Sequence, residues 1–198
     1  MRIADVDVPD SPACTAAAEV ASTYLTPALL NHSVRAYLFA AAHAAANGIA
    51  YDAELLYTAT LLHDIGLVGE FDNHALAFED AGGHVAWVFA AGAGWPVARR
   101  VRLSEVIIRH MWDEVDVAED PEGHLLELST GMDISGRGVE TVPPQLRADV
   151  LDRYPRLDLP AEFLACFRDQ AARKPTTRAA DLIRSGMADR ITRNPLDG

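Results

Sequence analysis

Apolar residues recur at intervals of three and four along most of this chain, and this spacing limits its fold more than any other feature. Between residues 33 and 47, for example, Val34 and Tyr37 begin a stripe that continues until Gly48 interrupts it. Such a period places apolar side chains on one face of an α-helix. The alternating pattern typical of strands is nearly absent. The sequence therefore predicts an all-α fold, a single-domain bundle of helices that bury these faces against one another.

The helical segments are separated by Gly, Pro and acidic stretches. They cover residues 33–47, 52–63, 80–91, 97–111, 125–134, 143–151 and 161–173, followed by one last helix that begins after Thr176 or Thr177. Residues 113–123 are acidic and contain Pro121, so we predict a loop there. The first ten residues and the tail after Thr192 are predicted to be loosely held.

The charge of the chain limits its partners. Its net charge is −12, which argues against nucleic acid or an anionic membrane as the main partner, because both require a basic surface. No apolar run reaches the ~20 residues that a membrane-spanning helix needs, and the start of the chain lacks an apolar leader. We therefore expect a cytoplasmic protein that acts on a small molecule, with homo-oligomerisation left open.

Of the seven histidines, His63 is distinguished by the aspartate, Asp64, that directly follows it. His63 and Asp64 end the apolar helix LLYTATLLHDIGL, and Gly66 allows the chain to bend there. Imidazole nitrogen and carboxylate oxygen together suit zinc, iron or manganese. The alternative is a histidine placed favourably at a helix C-terminus beside a solvated carboxylate.

Two further residues strengthen the metal interpretation. His32 lies at the start of the helix before this pair, and an antiparallel helical hairpin would bring it close to His63 and Asp64. Asp133 lies in a short helix among apolar and small residues, where a buried carboxylate needs a compensating partner such as a metal.

Several motifs, taken in order, resemble the HD-domain superfamily. They are NHSVRAYLFA, YDAELLYTATLLHDIGL, VIIRH and MDISG, and their order is most similar to the cyanamide hydratase-like branch. The resemblance covers residues 25–136, and FRDQAARKPTTRAADL in the C-terminal helices of 143–192 is a weaker match to the same branch. All of 1–198 is expected to form one domain. It implies an HD-type helical bundle around one divalent metal, zinc in the first place and iron or manganese otherwise. The ligands that it implies are His32, His63, Asp64 and Asp133.

The segment FEDAGGHVAW departs from that branch, because it contains a double Gly and His84. HD proteins with two metals use two additional histidines, and His84 and His110 are the candidates. We favour one metal, since His84 is offset from the position expected for such a ligand.

Other residues are candidates for catalysis or substrate binding. We predict catalytic roles for Asp64, Glu79 and His110, each of which could move a proton, although Glu79 could instead be a simple N-terminal helix carboxylate. Arg35 shares a helix face with His32 and could hold substrate or pair with Asp64, with packing as the alternative. His74, in a predicted loop bordering the site, is the second substrate-binding candidate.

Two reactions are consistent with this site. The resemblance implies metal-dependent hydration or hydrolysis of a small nitrogenous substrate such as cyanamide or a nitrile, by water that the metal activates. The alternative is an HD-type phosphohydrolase acting on a nucleotide or phosphoester, which needs several cations around the phosphate. The candidate cations are Arg35, Arg109, Arg137 and Lys174.

Overall fold

The fold is a bundle of ten α-helices within residues 3–197, the part of the chain that the computed structural model describes. No strand occurs in that part, as the all-α prediction requires. The helices are α1 (Pro12–Tyr24), α2 (Pro27–Asn47), α3 (Ala53–Leu62), α4 (Phe78–Gly92), α5 (Val97–Arg109), α6 (Pro121–Ser135), α7 (Pro144–Arg153), α8 (Leu159–Arg173), α9 (Arg178–Arg184) and α10 (Met187–Thr192). Three short 3₁₀ helices cover Ile3–Asp5, Ile65–Leu67 and Val139–Thr141.

Helix α2 is longer than its apolar stripe suggests. The side chain of Thr26 caps it by accepting a hydrogen bond from the backbone N–H of Leu29, and Pro27 occupies its first turn. Gly48, with φ of 66°, ends it in the left-handed conformation. Because α2 begins at Pro27, His32 lies in the second turn of the helix, close to the start where the sequence placed it.

Helix α3 packs antiparallel to α2, as the predicted hairpin requires, and its end is shaped by Gly66. A Cβ at Gly66 would lie 2.0 Å from the carbonyl oxygen of Phe78, at the start of α4. Gly66 is therefore required for close approach of α4 to the turn after His63 and Asp64. This approach holds the His-Asp turn against α4.

Helix α6 begins at Pro121, four residues earlier than predicted. Proline is compatible with the first turn of a helix, and the side chain of Asp120 accepts a hydrogen bond of 2.6 Å from the N–H of Gly123. The predicted loop therefore ends at residue 120. Helix α6 packs along α2 and brings Asp133, completely buried, beside His32.

The two ends of the chain differ most from expectation. Helix α1 did not figure among the predicted helices, although Ser11 caps it and Pro12 opens it. The predicted last helix is two helices, because Gly186 interrupts it with φ of 82°. The tail after Thr192 is not loose, since Asn194 and Leu196 are buried. The predictions for Met1, Arg2 and Gly198 lie outside the described residues.

Two apolar clusters fill the interior. The larger one joins α2, α3, α5 and α6. The second connects the middle and end of α1 and the start of α2 with α8, α9 and α10, around a stacked pair formed by Phe163 and Phe167. The His-Asp turn lies between them. Within residues 3–197 no helix is long and apolar enough to cross a membrane.

Candidate metal centre and adjoining cavity

Three side chains meet at the end of α3. His32 comes from α2, and His63 and Asp64 from the turn after α3; all three are buried. The two Nε2 atoms lie 3.2 Å apart, and Asp64 Oδ2 lies 3.2 Å from His63 Nε2 and 3.5 Å from His32 Nε2. Among the described residues this is the group of histidine, cysteine or acidic side chains that could hold a metal.

Hydrogen bonds fix which nitrogen of each ring faces the centre. His32 Nδ1 donates to Asp133 Oδ2 at 2.7 Å, and His63 Nδ1 donates to the carbonyl oxygen of Thr60 at 2.8 Å. These oxygens only accept, so each Nδ1 carries a hydrogen, and in the neutral ring that a metal requires each Nε2 presents its lone pair. Metal-binding histidines are commonly oriented in this way.

The residues fit a divalent metal. Two nitrogen lone pairs face each other at 3.2 Å, and neither oxygen of the buried Asp64 carboxylate has a hydrogen-bond partner. A buried carboxylate left without partners is costly, and a cation between these three groups would compensate it. The donor set of imidazole nitrogen and carboxylate oxygen suits zinc, iron or manganese.

The electrostatics of the centre also favour a cation. Burial would raise the pKa of Asp64, but His63, with His32 and His110 nearby, lowers it to about 2. Burial would lower the pKa of His63, but the charge of Asp64 raises it above its usual value. Asp64 is thus a carboxylate at neutral pH, and the field at His63 favours positive charge.

His110, at the end of α5, extends the centre. Its ring lies 5.0 Å from that of His63, and its Nδ1 donates to the carbonyl oxygen of Ile107, which leaves the lone pair on Nε2. Burial, together with the neighbouring His63, lowers the pKa of His110 to about 3. The ring is therefore neutral over the physiological range and can only accept a hydrogen bond, or bind a metal, through Nε2.

Asp133 lies on the other side of His32. Its Oδ1 accepts from Arg35 Nε at 2.8 Å, and its Oδ2 accepts from Arg35 Nη2 at 2.7 Å as well as from His32 Nδ1. In this arrangement Asp133 orients His32 and does not face the centre, so its predicted role as a metal ligand is not supported. Arg35 also donates to the carbonyl oxygens of Tyr154 and Pro155.

The substrate-binding role predicted for Arg35 is contradicted by these contacts. Its side chain is fully buried, and each of its three nitrogens already donates to an oxygen of the protein. It pairs with Asp133, and not with Asp64 as considered from the sequence. Arg35 fixes the position of the Asp133 carboxylate, and that carboxylate orients His32.

A network beyond Asp133 could not be anticipated from the sequence. Arg156 lies 3.3 Å from Asp133 Oδ1 through Nη1, and its Nε donates to Asp197 at 2.5 Å. Asn194 donates to the backbone oxygen of Asp133 at 2.8 Å. No motif marks Arg156 or Asn194, since both reach Asp133 from distant parts of the chain.

A cavity of about 300 Å³ opens from the centre. His32, His63, Asp64 and His110 line its inner end. Its walls are largely apolar, with Met111, Ile134, Phe163, Phe167, Leu182 and Met187. Most of this wall comes from α8, α9 and α10.

Three other predicted residues lie outside this cavity. Glu79 borders a neighbouring cavity, which shares Met111, Trp112, Asp113 and Arg178 with the first. Burial raises the pKa of Glu79 to about 7, but the position does not support a direct catalytic contact at the centre. His74 is exposed in the loop before α4, so its predicted role in substrate binding is not supported. His84 is exposed on α4, which removes one ligand of the two-metal alternative.

Comparison with known proteins agrees with this geometry. The family model of the HD domain matches residues 29–116, which contain His32, His63, Asp64 and His110. This part of the chain therefore resembles an HD domain. The chain is also similar to two curated relatives from Saccharomyces cerevisiae, the cyanamide hydratases DDI2 and DDI3. Each is 28% identical over 183 residues, which cover 89% of this chain and 80% of the relative. Together these findings support a metal-dependent hydrolase or hydratase.

Proposed function

We propose that this protein is a metal-dependent hydratase that adds water to a small nitrogenous substrate with a cyanamide or nitrile group. The observation that carries the proposal is the buried Asp64 carboxylate without a hydrogen bond, facing two imidazole lone pairs at the inner end of a cavity. The similarity to two cyanamide hydratases supplies the class of reaction.

His32, His63 and Asp64 would hold one divalent metal, for which we propose zinc. When bound, such a metal lowers the pKa of water and polarises a nitrile nitrogen. Asp133 and Arg35 keep His32 in one orientation and tautomer. His110 Nε2 lines the cavity as a neutral acceptor, so it can orient the attacking water by accepting one of its hydrogens.

The charges around the cavity favour this reaction over phosphate-ester hydrolysis. Each cation considered for phosphate binding is already paired with a carboxylate. The pairs are Arg35 with Asp133, Arg109 with Asp120, Arg137 with Glu127 and Lys174 with Asp72. A multiply charged phosphate would have to displace these carboxylates or bind Arg190 alone, which lines the cavity and donates to the backbone oxygen of Ser185. A neutral nitrile needs neither.

Parallel assays of the metal-loaded protein test the proposal. Urea formation from cyanamide and phosphate release from nucleoside monophosphates are measured with the same preparation, with and without a chelator. We expect urea formation that the chelator abolishes. Chelator-sensitive phosphate release, with no hydration of cyanamide or of other nitriles, would instead establish the phosphohydrolase.

A further inference from the structure

The cavity is larger than the substrate of the two relatives requires. Cyanamide has three non-hydrogen atoms and displaces about three water volumes, or roughly 90 Å³. The cavity beside the centre measures about 300 Å³, which lies at the lower end of the ~300–1,000 Å³ typical of sites for larger organic ligands. Most of the cavity would remain unfilled by cyanamide.

The cavity wall that α8, α9 and α10 supply is suited to an apolar group. Phe163 and Phe167 stack with ring centroids 4.4 Å apart, and the Phe163 ring lies 6.1 Å from that of His32. Leu182 and Met187 continue this surface on α9 and α10. An aromatic ring in this space would remove apolar surface from water on both sides, which favours binding.

The charged groups on the cavity wall largely neutralise one another. Arg137 pairs with Glu127, and Arg178 pairs with Asp113. Arg190, which also lines the cavity, donates to the backbone oxygen of Ser185. The wall therefore offers two neutralised pairs and one exposed cation, and a substrate body without charge meets no uncompensated carboxylate there.

We propose that the substrate is a neutral molecule whose nitrile or cyanamide group lies at His32, His63 and Asp64 and whose aromatic-sized body packs on Phe163, Phe167 and Leu182. The inference rests on the proposed hydration and adds the substrate class. Water adds across the C≡N bond: its oxygen bonds to the nitrile carbon, and both hydrogens end on nitrogen. The product from an N-substituted cyanamide is the N-substituted urea, and no oxidant or reductant is needed.

The test compares phenylcyanamide with cyanamide as substrates of the metal-loaded protein. We expect kcat/KM to be about 30-fold higher for phenylcyanamide, the gain expected from burying one aromatic ring. Calorimetric titration gives a readout independent of turnover. Phenylurea should bind more tightly than urea and with a negative heat-capacity change, which marks burial of apolar surface.

A pair of variants on α9 tests where the apolar body of the substrate binds. Leu182→Trp fills part of the cavity, and we expect it to lower the preference for phenylcyanamide over cyanamide by about tenfold. Ile183→Trp makes the same kind of change at the neighbouring residue, which does not line the cavity, and it should leave that preference unchanged. Circular dichroism of both variants confirms that the helical fold is kept.

The outcomes separate the two proposals. Equal or faster hydration of cyanamide, or phenylurea binding no tighter than urea, overturns the substrate class and leaves hydration standing. No hydration of either compound, with chelator-sensitive release of phosphate from nucleotides, overturns the proposed function itself. A loss of preference in Ile183→Trp equal to that in Leu182→Trp also overturns the assignment of the wall.

Discussion

The two sides of the cavity are built differently. On the metal side, His32, Asp133 and Arg35 are fully buried, and each has a fixed polar partner. On the opposite side, α8, α9 and α10 supply apolar side chains, and the Arg137 and Arg178 side chains near them are 49% and 31% exposed. The first side lies mainly within the part that resembles an HD domain and the second beyond residue 116. We therefore propose that the chemistry depends on the buried polar network and the choice of substrate on a separate, apolar surface.

The largest expected effect comes from removing the imidazole of His63, one of the proposed metal ligands. We expect His63→Ala to lose the metal and to lower hydration by at least about 1,000-fold, more than the ~10–100-fold typical of groups that only orient a ligand. The helical fold should remain, because the helices bury their own apolar faces. Elemental analysis, activity and far-ultraviolet circular dichroism check this.

His84→Ala is the matched control, since His84 is exposed and lies away from the cavity. It should keep both metal and activity. If it instead lowered the metal content by half, from two ions per chain to one, two metals would be present. An unfolded His63→Ala protein would show that the metal is needed for folding.

The same contrast explains what the sequence could reveal. His63 and Asp64 stand next to each other at a predicted helix end, and a hairpin of two helices is enough to bring His32 to them. These relations are local or involve neighbouring helices, so periodicity and motif order predict them. The order of motifs also indicated the HD domain, which the comparison with known proteins supports.

The apolar wall and the exact partners of Asp133 depend on contacts between distant segments. Arg156 and Asn194 contact Asp133 across 23 and 61 positions of the chain. No local pattern encodes such contacts, and a buried carboxylate next to a histidine fits a metal ligand as well as an orienting group. For this reason the sequence placed Asp133 at the metal and Arg35 at the substrate.

A variant of Asp133 tests whether the network only orients His32. We expect Asp133→Asn to weaken metal binding about 10–100-fold, because His32 loses a charged acceptor. Arg35 would remain buried without its partner charge, which should lower the free energy of unfolding by about 3–5 kcal/mol. Competition with a chelating dye and urea denaturation measure the two effects.

Asp189→Asn, at an exposed position on α10, should change both quantities little and is the control. Complete loss of the metal in Asp133→Asn, equal to the loss in His63→Ala, would contradict the orienting role. It would restore Asp133 as a direct ligand.

The smallest expected effect comes from changing Glu79. Glu79, on α4, is buried with one carboxylate oxygen lacking a hydrogen-bond partner. Burial, with the charge of Asp80 adding to it, raises the pKa of Glu79 from 4.5 to about 7, against the opposing charges of Lys174 and Arg178. Glu79 therefore lies within residues 29–116, the part that resembles an HD domain, and the charges of Lys174 and Arg178 reach it from the C-terminal part of the chain.

This shift gives a stability effect with a definite sign. Between pH 4.5 and 7 the folded protein keeps a proton on Glu79 that the unfolded chain releases. The free energy of unfolding therefore falls as pH rises through this window. Glu79→Gln removes the titration, so the variant should be about 1–3 kcal/mol more stable than the wild type at pH 8 and close to it at pH 4. Urea denaturation at pH 8 and pH 4 measures the difference, with Glu19→Gln, exposed on α1, as the control.

A Glu79→Gln variant that is less stable at pH 8 would mean that Glu79 is charged and paired with Arg178. The C-terminal wall would then be tied to the part that resembles an HD domain by an ion pair, and the two sides of the cavity could not be treated as separate surfaces.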